Sequence, residues 1–86
     1  MSEKYKKETE ENFDEYIDCT GLYCPAPIYE TKKKIDTMEK GRILKITADD
    51  PGSGPDIRSW ARMTGNELVK AEKNKNIFTF YIRKTG

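Results

Sequence analysis

Histidine is absent from this 86-residue chain, and cysteine occurs only twice. Without an imidazole base, Cys–His and Ser–His–Asp catalysis are closed to it. A structural zinc site takes four Cys or His ligands, more than one such chain can offer. No apolar run is long enough to span a bilayer, and the first residues hold no apolar signal-peptide core. A cytoplasmic protein is expected, in a compartment where thiols stay reduced. An excess of either charge is missing too: sixteen Lys and Arg against fifteen Asp and Glu leave +1. That balance gives no general attraction to nucleic acid or to an anionic membrane surface.

What is present fits one small domain with a modest core. Residues 1–15 are rich in charge, with Lys4, Lys6 and Lys7 against Glu3, Glu8, Glu10 and Glu11, and read as a disordered tail. Residues 16–86 form the domain. Tyr16 to Cys19 reads as a first strand, ended by Thr20-Gly21. A first helix is expected from Pro25 to Met38 or Glu39, with Ile28, Thr31, Ile35 and Met38 inward, a Glu30–Lys34 pair outside and Gly41 as its stop. Arg42 to Ala48 alternates, with Leu44, Ile46 and Ala48 on one side, so a parallel strand after a right-handed crossover is predicted.

Asp49 to Pro55 reads as a loop whose Ser53 or Asp56 caps the next helix, Ile57 to Thr64, with Trp60 anchoring it and Gly65 ending it. Asn66–Glu72 and Ile77–Lys84 then form a hairpin around Lys73-Asn74-Lys75-Asn76. Phe78, Phe80 and Ile82 should face the helices, beside Leu68, with Tyr81 and Ile77 on the other face. The order β-α-β-α-β-β predicts an α+β fold: a two-layer sandwich in which a mixed four-stranded sheet carries two helices on one face.

The chemistry concentrates in Gly21-Leu22-Tyr23-Cys24-Pro25-Ala26-Pro27. Pro25 biases Cys24 away from helical backbone and is itself suited to the first helical position. Cys24 thus reads as the N-cap, with its sulfur at the positive helix end and the Ala26 N–H as the nearby donor. Both effects favour thiolate. The plainer reading, a cysteine buried in a tight turn, loses ground to the Pro-x-Pro frame. Lys32 and Lys33 form part of a solvated helix face. They lie about 10 Å along the axis beyond Cys24, so docking an acidic partner is a better use for them than direct pairing with the sulfur.

This stretch resembles the signature of the TusA/SirA-like sulfur-carrier proteins, Gly-Leu-x-Cys-Pro-x-Pro followed by a Lys-Lys helix. The resemblance runs from about Asp18 to Arg83. It takes in Lys32-Lys33, Asp49-Asp50-Pro51, Asp56-Ile57, Trp60-Ala61, Gly65, Glu67-Leu68 and Ile82-Arg83-Lys84. It implies the same two-layer fold and a sulfurtransferase in which Cys24 carries a persulfide, with no cofactor beyond that covalent sulfur and no metal. Asp18, Gly21, Pro25 and Pro27 would shape the loop. It implies a cysteine desulfurase or rhodanese-like protein as donor and a downstream acceptor protein, a thiosulfate permease among the candidates. The chain itself would be a monomer, not inserted in the membrane and not bound directly to nucleic acid.

Tyr23, Ala61 and Asn66 depart from residues common in the family, and Cys19 is an additional thiol. These departures weigh against tRNA thiolation and towards a thiosulfate-handling or dissimilatory branch. Cys19 has two readings: a small apolar strand residue facing the core, or a resolving thiol that attacks the inner sulfur of a Cys24 persulfide. Two alternatives to the carrier stand beside it. One is a regulatory docking module in which Cys24 is not catalytic. The other is a nucleic-acid binder using the lysines with Tyr81 and Phe78, which the balanced charge disfavours.

Overall fold

The structure, a computed structural model, describes residues 13–23 and 26–86. Of the disordered tail expected over residues 1–15, residues 1–12 lie outside the described residues, as do Cys24 as N-cap and Pro25 as first helical residue; Asp14 and Glu15 instead join the sheet, Asp14 through its N–H on the Ile43 carbonyl and Glu15 as the first residue of the first strand. The elements are β1 (Glu15–Cys19), α1 (Ala26–Ile35), β2 (Ile43–Ala48), α2 (Ser53–Thr64), β3 (Glu67–Asn74) and β4 (Ile77–Arg83). The four strands form one sheet in the order β1-β2-β4-β3. Strands β1 and β2 are parallel, with Cys19 opposite Ala48, and the other two pairings are antiparallel. The predicted fold class holds.

Alternation in β2 explains the layering. Leu44, Ile46 and Ala48 are fully buried, while Ile43, Lys45 and Thr47 on the other side are partly exposed. With Phe80 and Ile82 of β4 they make the floor on which Ile35, Met38 and Ile57 sit, and Leu68, Phe78 and Trp60 pack at the margin. Both helices therefore lie on this one face. No helix among the described residues is long and apolar enough to cross a membrane. The opposite face is covered locally rather than by a layer. Tyr81, although on that side, is buried to 1%. The Lys45 ammonium lies 5.2 Å from the Phe13 ring, 5.7 Å from Tyr16 and 5.9 Å from Tyr81, a cation–π cluster that covers this part of the sheet.

Several boundaries differ from the sequence expectation, each for a local reason. Helix α1 ends at Ile35, short of Met38, because its last turn tightens: Thr37 and Met38 donate to carbonyls three residues back, and the Thr37 hydroxyl also bonds the Lys34 carbonyl. Met38 still points inward, which is why its apolar spacing looked helical. Gly41 is not the helix stop. At φ +92° it occupies a separate turn closed by Arg42 N–H on the Glu39 carbonyl, and its own N–H extends the sheet to Lys84. On the outer face Glu30 meets Lys33 at 3.8 Å, while Lys34 reaches across to Glu15 at 3.2 Å, replacing the expected Glu30–Lys34 pair.

Helix α2 begins at Ser53, four residues early. Gly54 and Pro55 look like loop residues, yet Pro55 falls in the first turn, where an amide has no intrahelical partner to lose. The cap expected from Ser53 is not made, since its buried hydroxyl has no hydrogen-bond partner; the N-cap position belongs to Gly52. Gly65 ends the helix as expected, in the left-handed conformation at φ +79°.

The hairpin turn is tighter than predicted, with only Lys75 and Asn76 between paired Asn74 and Ile77. A bulge at Val69 was not foreseen. Leu68 and Ala71 are three residues apart, yet lie opposite Ile82 and Phe80 on the helix side; the extra residue makes that possible against a period of two.

The packing yields a direct contrast. Ile57 is fully buried beneath α2, whereas Met63 on the same helix is 82% exposed. Ile57→Ala is expected to cost roughly 2–5 kcal/mol in urea unfolding, and Met63→Ala about 0.5 kcal/mol or less. Similar losses from both would show that the face of α2 has been misassigned.

Candidate functional site

The parallel pairing of β1 and β2 brings two loops together at one end of the sheet. The first carries the motif and the second leads into α2. Between β1 and Tyr23, each backbone amide has a defined partner. Thr20 N–H donates to Asp18 Oδ1 at 3.0 Å, Gly21 N–H to Asp49 Oδ1 at 2.9 Å, and Leu22 N–H to the Cys19 carbonyl at 3.1 Å. The last bond closes a turn over Cys19–Leu22 in which Gly21, at φ +86°, takes a conformation that side chains oppose.

Asp18 anchors this turn from β1. Its Oδ1 also accepts the Thr20 hydroxyl at 2.8 Å and the Thr47 hydroxyl at 3.0 Å. Because Thr47 spends its one hydroxyl proton there, the Tyr16 hydroxyl, 3.0 Å away, donates to Thr47. The Thr20 amide, with the Thr20 and Thr47 hydroxyls, holds the Asp18 carboxyl below its usual pKa, so it stays an anion.

On the far side of the motif the chain is anchored again. Pro27 is buried in the first described turn of α1, and the Thr31 hydroxyl donates to its carbonyl at 2.7 Å. The Ala26 N–H donates to the Tyr23 carbonyl at 2.7 Å. That corrects one expectation, since this amide had been assigned to the sulfur and is instead engaged by a nearby backbone acceptor. Cys24 and Pro25 themselves lie outside the described residues; their neighbours on both sides are fixed.

Cys19 lies inside the core at 1% exposure, among the residues under α1. Desolvation first, then the charges of Glu30 and Asp18, push its thiol up to about 11. At neutral pH it is a protonated, enclosed thiol, the state least suited to nucleophilic attack.

The lysines divide. Lys32 bonds Asp36 at 2.9 Å along the helix, and Lys33 meets Glu30; all four side chains are solvated. Lys32 also borders a groove of about 370 Å³ lined by Tyr23, Ala26, Ile28, Tyr29 and Trp60. Apart from Lys32 its walls are apolar, and Tyr23 and Tyr29 remain 77% and 66% exposed. Trp60 thus contributes only part of its ring to the core, and the rest faces this groove. Tyr81 and Phe78, the rings a nucleic-acid interface would use, are respectively buried and packed against the core.

Sequence reasoning missed two features. Asp49 carries no role in the sequence reading beyond starting a loop, whereas its carboxylate reaches back 28 residues to the motif loop. The groove gathers residues from three separate segments, and no local pattern announces it. The only available signal was the concentration of Tyr23 and Tyr29 around the motif.

A mixed four-stranded sheet with two helices on one face and a motif loop after its first strand defines a SirA-like sandwich. A solved SirA-like protein from Desulfitobacterium hafniense has this fold, with a TM-score of 0.73 over 81% of this chain and 96% of that one; at 24% identity the likeness concerns fold alone. Residues 15–84 match the family described as Sulfurtransferase TusA. The chain is 40% identical over 74 residues to the sulfur carrier protein TusA of Allochromatium vinosum, covering 86% of this chain and 97% of that protein. It is 42% identical over 73 residues to a putative sulfur carrier protein of Aquifex aeolicus, covering 85% of this chain and 37% of that longer relative. The chain belongs to the TusA family, and its role is that of a sulfur carrier, standing between a donor and an acceptor of sulfur.

The enclosure of Cys19 can be measured. A thiol reagent at neutral pH should leave Cys19 unlabelled in the folded protein and label it in urea. Because folding raises the Cys19 pKa from 9.0 to about 11, its contribution to stability is complete below pH 9 and is lost as pH rises through 11. Over that window the wild type should lose more stability than Cys19→Ala. Rapid native labelling of Cys19, or identical pH slopes, would contradict this burial.

Proposed function

We propose that this carrier holds sulfane sulfur as a persulfide on Cys24. The observation that carries the reading is the enclosure of Cys19. Cys19 is enclosed and held protonated, which leaves Cys24, within the family motif, as the thiol for exchange. In loading, the Cys24 thiolate attacks the outer sulfur of a donor persulfide, and the donor cysteine leaves as thiolate. In delivery, an acceptor thiolate attacks the outer sulfur of Cys24-S-SH and Cys24 leaves in turn. Neither step changes the total oxidation state or requires a cofactor.

In this reading the protein acts in the cytoplasm, as a single-cysteine sulfurtransferase. Donors of the cysteine desulfurase or rhodanese-like class supply it, and a downstream acceptor protein, with a thiosulfate permease among the candidates, receives the sulfur. Tyr23, Ala61 and Asn66 weigh against tRNA thiolation and leave a thiosulfate-handling or dissimilatory branch, a choice to which the enclosed Cys19 adds nothing. Asp18, Gly21, Pro25 and Pro27 shape the loop. Lys32 and Lys33 present positive charge to the partner beside the apolar groove.

The test is loading by a cysteine desulfurase with cysteine, read by intact mass. Wild type should gain one sulfur atom and Cys24→Ser none; loading of Cys24→Ser would overturn the assignment. In the same assay the Lys32→Glu, Lys33→Glu double variant should transfer more slowly and with weaker salt dependence, while its melting changes little, because both lysines make only exposed helix pairs. Unchanged transfer across ionic strength would return both residues to a solvated face.

A further inference from the structure

We propose that Asp49 is the positioning residue of the Cys24 loop, acting through the Gly21 amide. The inference rests on the carrier reading for its significance and on geometry for its content. Of the three amides between β1 and Tyr23, Thr20 and Leu22 bond within the segment, to Asp18 and Cys19. Only the Gly21 amide is held from elsewhere in the chain, by Asp49 Oδ1 at 2.9 Å. On the side where a Cβ on Gly21 would stand nothing lies within 4 Å, while Leu22 beside it packs against the core. The hydrogen bond adds the tether from outside the segment at the point where the loop leaves the sheet, three residues before Cys24.

Asp49 is well placed for this task. It directly follows Ala48, which is fully buried and paired in register with Cys19, so its backbone is fixed against the end of β1. One residue further along, the chain turns towards α2. A side chain at the end of β2 thus ties the start of the motif loop to the second loop of the same sheet end. A carboxylate accepting a backbone N–H makes a charge-assisted bond, and an amide oxygen of the same reach can accept the same proton. This sets Asp49→Asn apart from Asp49→Ala.

The experiment compares wild type, Asp49→Ala and Asp49→Asn in two assays. One is the rate of sulfur loading. The other is the pH profile of iodoacetamide alkylation, followed on the Cys24 peptide by mass spectrometry; thermal melting of each variant controls for folding. Displacing a reacting atom by a fraction of an ångström should slow loading in Asp49→Ala by about three- to tenfold and change its alkylation profile relative to Asp49→Asn, which loses the same charge but keeps the acceptor. Asp49→Asn should bring loading to within about twofold of wild type, because the acceptor remains, and any shift of its midpoint reports the lost charge alone. A wild-type profile in Asp49→Ala, or an Asn variant as impaired as Ala, overturns the proposal. So does a loading defect that tracks melting while the alkylation profile stays put. If wild-type Cys24 takes up no sulfur, the carrier reading fails, and the alkylation profiles still decide the role of Asp49.

Discussion

The site depends on the parallel pairing of β1 with β2. Parallel neighbours end at the same edge of a sheet, so the segments that follow them emerge side by side. Here the register sets Asp18 opposite Thr47 and Cys19 opposite Ala48. The Asp18–Thr47 bond ties the two strands, and the Asp49–Gly21 bond ties the loops beyond them. Burial of Leu44, Ile46 and Ala48 fixes which way β2 faces, and a one-residue slip would turn all three to solvent. Core packing and loop geometry are thus one constraint: the apolar face of β2 sets the register, and the register delivers two carboxylates to the motif loop.

The same arrangement encloses one of the chain's two thiols. Cys19 is the last residue of β1 and faces the helices; burial and nearby acids keep its thiol neutral. Its resolving role would need the core to open before the sulfur could be reached. Cys24 follows in the sequence, and its neighbours are held at Gly21 and Leu22 on one side and at Ala26 and Pro27 on the other. Reactivity in a chain without histidine then rests on where each sulfur is placed rather than on a dedicated base. The apolar groove beside Tyr23 and the solvated Lys32 extend this surface, offering a partner both apolar contact and charge.

Much of this was legible in the sequence, where period and punctuation agree. Leu44, Ile46 and Ala48 announced a half-buried strand, and Phe80 and Ile82 a second inward face. The motif itself was unmistakable. Errors arose where short-range signals have two solutions. Gly54 and Pro55 suit a loop, yet equally suit the first turn of a helix. Met38 kept helical spacing after the backbone had tightened past Ile35. The Ala26 amide suits a sulfur at a helix start, yet the Tyr23 carbonyl takes it. Asp49 failed for a different reason: its type and place at a strand end were visible, but its partner lies 28 residues away, and only register brings the two together. The Val69 bulge is likewise a product of pairing with β4 and leaves no mark in β3 alone.

The central claim, that sulfur travels on Cys24 while Cys19 stays enclosed, is tested most directly by a single-turnover transfer. The protein is loaded with radiolabelled sulfane sulfur, freed of donor and mixed with an acceptor thiol protein, and label is followed on the Cys24 peptide, the Cys19 peptide and the acceptor. The account predicts that label leaves Cys24 and enters the acceptor with one shared rate constant, with none on Cys19. Label on Cys19, or loss from Cys24 as free sulfide with a Cys19–Cys24 disulfide left behind, would contradict it.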